Sequence, residues 1–254
     1  MTSAASIAQL LRARGVSHGD RVGLFVPLDV IAEAFAAVRA CGAIAVPLAL
    51  RLGAQPLAYH LRDAGVSVLL TDETHLETAT QASALAPSCH HVLTLTPRSV
   101  GLPEIASAHD PRDDEAAFFS YAPETRGGRP RGAIHDTRAT QMAIEGMCDA
   151  LDLRADDEVA IEIPIWEGGF VLALAAHRAG ARVIGRASSS TTVIALRARE
   201  TTTRLAGLVA GSQLRAAIAV GAGAFGVGAA RELAGRGERL ELASARVIRE
   251  LPLW

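Results

Sequence analysis

Two hydrophobic rhythms alternate along the chain. RVGLFVP (residues 21–27), AIAVPLAL (43–50), VSVLLTD (66–72) and HHVLTL (90–95) are short, nearly unbroken apolar runs bounded by turn residues. Runs of this kind read as strands buried on both faces. Between them lie longer stretches with apolar positions three and four apart, the spacing of one helical face. In residues 1–15 the positions Ile7, Leu10 and Leu11 fit such a face. In DVIAEAFAAVRACG (29–42), Asp29 is placed to cap the start, Ile31, Phe35 and Val38 share a face, and Gly42 ends the helix. QPLAYHLRDAG (55–65) and ETHLETATQASALA (73–86) are the next two helices.

Residues 96–114 break the rhythm with Pro97, Pro103, Pro111 and a polar, acidic composition, the mark of a long connection. The pattern then resumes. EAAFFSY (115–121) is a strand, residues 137–153 a helix, DEVAIEIPI (157–165) a strand, EGGFVLALAAHRAG (167–180) a helix and ARVIGR (181–186) a strand. ASSSTT (187–192) is a loop whose serines suit a solvated turn as well as a site. A last helix–strand set is expected from Val193 to the end. Strand–helix alternation of this kind predicts an α/β fold, a largely parallel sheet flanked by helices, here taken as one domain over residues 1–254.

Composition narrows the picture. Half of the 254 residues are apolar and a fifth are charged, which suits a packed core. A net charge of −2 without a basic block argues against nucleic acid and anionic membranes as partners. No apolar run is long enough to span a membrane and residues 1–15 lack the pattern of a secretory signal, so a cytoplasmic protein is expected. The three cysteines, Cys41, Cys89 and Cys148, are scattered and read as reduced thiols. The eight histidines show no H-E-x-x-H or similar spacing, so no metal site is expected. All 25 basic residues are arginine, with no lysine in the sequence. That removes any lysine-based chemistry from these residues and leaves the planar guanidinium as the phosphate-binding cation.

One stretch has the rhythm of a phosphate-gripping loop: YAPETRGGRPRGAIHD, residues 121–136. An apolar lead-in meets clustered glycines and basic residues, and the chain then returns to extended structure. A glutamate and a proline stand where such a loop would place glycine and hydroxyls.

Taken together, three phrases resemble the N-terminal domain of the adenylate-forming superfamily, the acyl-CoA synthetase-like AMP-binding enzymes. GVSHGDRVGLFVPLDVIAEAFAAVRACGAIAVPL with YHLRDAGVSVLLTD is similar to the family's opening text. The loop stretch is similar to Y-T-S-G-T-T-G-x-P-K-G, and IPIWEGGFVLALAAHRAGARVI to P-L-F-H-x-x-G followed by a helix and a G-A-x-V strand. The likeness covers most of residues 5–186 and leaves residues 187–254 divergent.

The resemblance implies ATP-dependent activation of a carboxylic acid to an acyl-adenylate, with ATP and Mg²⁺ as cofactors and thioester formation afterwards. Thr125, Gly127, Gly128, Arg131 and Gly132 are the phosphate-binding residues it implies: Gly128 and Gly132 match, Arg131 takes the lysine position, Thr125 keeps a hydroxyl one place out of register, and Gly127 stands where the family has a hydroxyl. Trp166, Glu167, Gly168 and Gly169 match the region bordering the acyl pocket, Glu167 replacing the family histidine; a structural tryptophan at a strand end is the other reading of Trp166. No catalytic residue is assigned. Glu124 disturbs the loop: a carboxylate ~4 Å from one phosphate charge costs about 4 kcal/mol at an effective dielectric of about 20. The family's Y-G-x-T-E motif, acidic ribose motif and lysine-bearing C-terminal domain have no counterpart in these residues, which implies a truncated chain with impaired catalysis and no support for CoA binding. A small carboxylic acid is the expected ligand, and a second copy or a partner chain is expected to cover the face an incomplete domain would expose.

Two alternatives remain at this level. One is a non-catalytic interaction or remnant protein. The other is an NADP- or FAD-binding oxidoreductase fragment built on Gly221, Gly223 and Gly226, a G-x-G-x-x-G within residues 220–243 that follows a strand-like run and opens a helical one. The same text also fits a divergent continuation of the family domain, or glycines placed by packing or chance.

Overall fold

The computed structural model describes residues 4–95, 109–122, 130–197, 214 and 216–220. The chain divides into two compact units, Met1–Gln141 and Met142–Trp254, each with its own sheet.

The first unit runs α1 (Ala4–Ala13), β1 (Arg21–Phe25), α2 (Ile31–Ala40), β2 (Ile44–Pro47), α3 (Ala54–Ala64), β3 (Val68–Thr71), α4 (Leu76–Ala84), β4 (His91–Thr94), β5 (Ala116–Ala122) and β6 (Arg131–Asp136). Its six-stranded sheet has the order β4-β3-β1-β2-β5-β6. All pairings are parallel except β5–β6. From β1 the chain steps to β2 on one side, then back across β1 to β3 and on to β4. Right-handed crossovers therefore put α2 on one face of the sheet and α3 and α4 on the other. The observed helix pairs agree, α1 packing on α2 and α3 on α4.

Apolar burial follows from that layering. Phe25, Val46, Leu48, Leu57, Leu61, Val66, Leu69 and Ala79 form one contiguous core on the α3–α4 face. Gly23 belongs to the same face: a Cβ there would lie 2.7 Å from Leu69 Cδ1. Strand alternation turns Val22 and Leu24 to the other face, and both are fully buried.

Two local expectations change. Asp29 does not cap α2; the helix begins at Ile31, with Val30 in the capping position and no side-chain cap bond. In α1, Ile7 and Leu11 are buried while Leu10 is 40% exposed. One residue on a helix turns by about 100°, so the core side centres on Ile7 and Leu11 and leaves Leu10 at its edge.

The second unit holds most of α5 (Thr137–Leu151), then β7 (Glu158–Ile161), a single 3₁₀ turn (Ile165–Glu167), α6 (Gly169–Arg178), β8 (Arg182–Ile184), β9 (Val193–Arg197) and β10 (Ala216–Val220). Its sheet is parallel throughout, in the order β10-β9-β7-β8. From Gly169 to Ala176, α6 is buried on all sides, as its continuous apolar sequence requires. The set beginning at Val193 opens with a strand, where a helix was expected. Val193, Ile194, Ala195 and Leu196 are all fully buried, and an apolar run that short has no period to separate strand from helix.

The serine loop has a structural task. Glu158, buried at the start of β7, accepts bonds at Oε1 from Ser188 Oγ (2.6 Å) and Ser190 Oγ (2.8 Å) and pairs with Arg182 through Oε2. Thr192 Oγ1 donates to Asp157 Oδ1 at 2.7 Å. The hydroxyls are thus spent on fixing the approach to β9. Glu158→Ala should lower the stability of this unit by about 1 kcal/mol, since it removes two hydrogen bonds from exposed serine hydroxyls and the longer one from buried Thr191. Limited proteolysis should show faster cleavage in residues 187–192; an unchanged digestion rate would mean that the loop is held otherwise. No described helix is long and apolar enough to cross a membrane.

Candidate functional site

The loop singled out in the sequence is the connection of a β-hairpin. β5 and β6 pair from Ala116↔Asp136 to Tyr121↔Gly132 and Ala122↔Arg131. Because β2 and β5 are parallel, the hairpin tip leaves the sheet at the carboxyl ends of β1, β2, β3 and β5. That is where open α/β sheets bind ligands. Thr125, Gly127 and Gly128, and with them Glu124, lie outside the described residues. Arg131 opens β6, and Gly132 is a strand residue opposite Tyr121, so it closes the loop from within the ladder. A Cβ on Gly132 would lie 3.2 Å from Phe119 Cδ1 and 3.3 Å from Tyr121 Cε1, so its missing side chain leaves room for two rings.

Helix α3 holds both ends of this connection. Tyr121, buried near the end of β5, donates its hydroxyl to Asp63 Oδ2 at 2.7 Å. Tyr59, one helical turn before Asp63, donates to the carbonyl of Pro130 at 3.2 Å. Positions four apart share a helix face, which is why one helix reaches both sides of the hairpin. The His60 ring stands edge-on to Tyr121 with centroids 4.5 Å apart, and its Nδ1 meets Pro56 O at 2.7 Å. Burial lowers the His60 pKa, which keeps the imidazole neutral near pH 7. Burial, reinforced by Asp63, raises the Tyr121 phenol well above its ordinary value, so it remains a donor. On the opposite side of the hairpin Phe118 stacks on His135 at 4.3 Å, and Ser120 Oγ lies 2.7 Å from His135 Nε2. These anchors were not foreseen; the i, i+4 pair Tyr59/Asp63 was the available signal.

The residues matched to the acyl pocket belong to the second unit. Trp166 sits half-buried in the 3₁₀ turn after β7, and Glu167 ends that turn. Gly168 has φ +95°, a conformation costly for any residue with a Cβ. At Gly169 a Cβ would lie 2.9 Å from Pro164 O. The Gly-Gly pair therefore lets a buried strand turn directly into a buried helix. The phosphate-loop residues and the Trp166–Gly169 group fall in different compact units. Gly221, Gly223 and Gly226 lie outside the described residues; the strand expected before them is β10.

At the opposite, amino-terminal end of the first sheet lies a second polar cluster. Arg39, buried on α2, donates from Nη1 to Ala43 O (2.9 Å) and Ala116 O (2.7 Å) and from Nη2 to Thr137 Oγ1 (3.1 Å). Glu115 lies 3.9 Å from Arg39 and 2.7 Å from His109 Nε2. The His109 hydrogen bond is the main cause holding the Glu115 carboxyl below its usual range.

The first unit is thus a mostly parallel α/β sheet with a hairpin at its carboxyl edge, and comparison with known proteins gives the family. The model of the AMP-binding enzyme family matches residues 1–198, and the chain belongs to that family. A long-chain-fatty-acid–CoA ligase, FadD13 of Mycobacterium tuberculosis, is 27% identical over 172 residues, covering 63% of this chain and 33% of that protein. A feruloyl-CoA synthase of an Amycolatopsis species is 31% identical over 171 residues, 64% of this chain and 32% of that protein. The match thus spans about a third of the length of these curated relatives. Among solved structures, the inhibitor-bound N-terminal domain of FACL13 from M. tuberculosis superposes with a TM-score of 0.70 at 19% identity, over 85% of this chain and 60% of that one. ATP-bound MatB from Rhodopseudomonas palustris gives 0.66 at 20% identity, over 85% and 48%. These likenesses bear out the family resemblance and the α/β fold.

Proposed function

We propose that the hairpin connection between Ala122 and Arg131 holds the phosphates of ATP, and that the chain takes part in activating a small carboxylic acid as its acyl-adenylate. In that reaction a carboxylate oxygen attacks the α-phosphorus, the bond from that phosphorus to the bridging oxygen breaks, and pyrophosphate leaves. The observation that carries the reading is the double anchoring of the hairpin by Tyr59 and Asp63 at the carboxyl edge of the sheet. Anchoring both ends of the connection restricts its conformations and lowers the entropy lost when it orders on a ligand. The donor chemistry suits phosphate: glycine amides at 127 and 128, the Thr125 hydroxyl, and the guanidinium groups of Arg126, Arg129 and Arg131. Glu124 is the exception. Mg²⁺ enters on the ATP phosphates as part of the substrate. Trp166 and the Gly168-Gly169 turn match the family's acyl side by sequence resemblance. A step that depends on lysine would draw that lysine from outside these 254 residues.

Ligand binding to the folded state raises stability by linkage, by about 2.7 kcal/mol at a hundredfold excess over the dissociation constant. MgATP should therefore raise the melting temperature of the chain, while NADP should leave it unchanged. Tyr121→Phe and Tyr59→Phe, which release the hairpin from α3, should weaken the ATP response. A shift with NADP and none with MgATP would transfer the reading to Gly221, Gly223 and Gly226; no shift with either would favour the interaction-protein alternative.

A further inference from the structure

We propose that His18, His109 and Glu115 form a binding site for a divalent transition-metal ion of the zinc type, at the end of the first sheet opposite the hairpin. His18 lies in the turn before β1, and His109 and Glu115 lie on the segment leading into β5. Parallel β1 and β5 start at the same rim, which brings residues far apart in sequence together there. Each offers one ligand atom, and the three atoms all lie within 4.8 Å of one another.

The geometry is close to that of a three-ligand site. A tetrahedral zinc with bonds of about 2.0–2.1 Å separates its donors by about 3.4 Å. His18 Nε2 to Glu115 Oε1 is already 3.6 Å. His109 Nε2 to Glu115 Oε2 is 2.7 Å, a hydrogen-bond distance that opens slightly when an ion replaces the shared proton and the imidazole proton moves to Nδ1. The two rings meet edge-on with centroids 5.2 Å apart. Both rest on Gly42, where a Cβ would come within 3.1 Å of His18 and 3.2 Å of His109; its φ of +72° and absent side chain leave the rings their place. The His18 side chain is 66% exposed, so an ion can enter from solvent and a fourth position stays open to water.

Two guanidinium groups also face Glu115. Arg112 Nε lies 3.8 Å from Oε1, on a side chain 73% exposed that can turn to solvent. Arg39, at 3.9 Å, is held by its carbonyl and hydroxyl partners and shares the carboxylate with the ion. Two imidazoles and one carboxylate suit zinc, cobalt or nickel better than magnesium. Mg²⁺ is thereby left to the ATP phosphates, and the site stands whether or not the hairpin binds nucleotide.

The test is a titration of the 254-residue chain with Co²⁺, read by visible absorption without nucleotide and followed by Zn²⁺ competition. The expected result is a saturable d–d band at one equivalent, displaced by Zn²⁺ but not by Mg²⁺. His18→Ala, at an exposed turn, should keep the circular dichroism spectrum and weaken Co²⁺ binding at least tenfold. His109→Ala should do the same, and His90→Ala should leave binding unchanged. No band, or a band of equal affinity in His18→Ala and His109→Ala, would overturn the assignment.

Discussion

Replacing Glu124 with glycine should tighten the binding of MgATP by up to about a thousandfold. A carboxylate ~4 Å from one phosphate charge is opposed by about 4 kcal/mol at an effective dielectric of about 20, and each 1.4 kcal/mol is a factor of ten. Arg126, Arg129 and Arg131 lie within seven positions of it in sequence and offset part of that repulsion, so the full figure is an upper bound. The change also restores the permissive backbone that a phosphate loop uses. Isothermal calorimetry of the two proteins measures the difference. Equal affinities would mean that residue 124 faces away from the phosphates, or that the loop does not hold them.

Arg39→Ala should lower the stability of the first unit by about 3 kcal/mol. The side chain ties α2 to the starts of β2, β5 and α5 through Ala43, Ala116 and Thr137, and lies 3.9 Å from Glu115. Its removal leaves two carbonyls and the Thr137 hydroxyl without their guanidinium donor, and a buried polar group left unsatisfied costs about 1–3 kcal/mol. Arg39→Lys should recover only part of the loss, because a point-like ammonium cannot fork between two carbonyls and a hydroxyl. With two compact units, scanning calorimetry should show one transition fall while the other stays in place. A change below about 0.5 kcal/mol, the size of ordinary surface substitutions, would show that the contacts are incidental.

Most strands and helices were legible because their signals are local. Val68–Thr71 and Glu158–Ile161 are short apolar runs between turns, and Ala54–Ala64 ends on Gly65, whose φ of +61° is the left-handed cap a glycine supplies. Pairing partners are not local. Nothing in AAFFSYA says that its neighbour on one side is antiparallel β6 and on the other parallel β2. The division into two sheets was hidden for the same reason: residues 137–186 continue the same alternation across the break. The candidate site divides likewise. Glycine clustering marked the hairpin, but the clamps from Tyr59 and Asp63 depend on a crossover that brings α3 beneath it. His18, His109 and Glu115 share no short sequence spacing because the sheet, and not a helix, gathers them.

The measurement that bears most directly on the central claim is a calorimetric titration of MgATP into the chain and into its Arg131→Ala variant. A phosphate-holding hairpin predicts saturable one-site heat for the parent and at least a tenfold weaker affinity for the variant, with both proteins folded. Absence of saturable heat, or the same affinity in both, would contradict it.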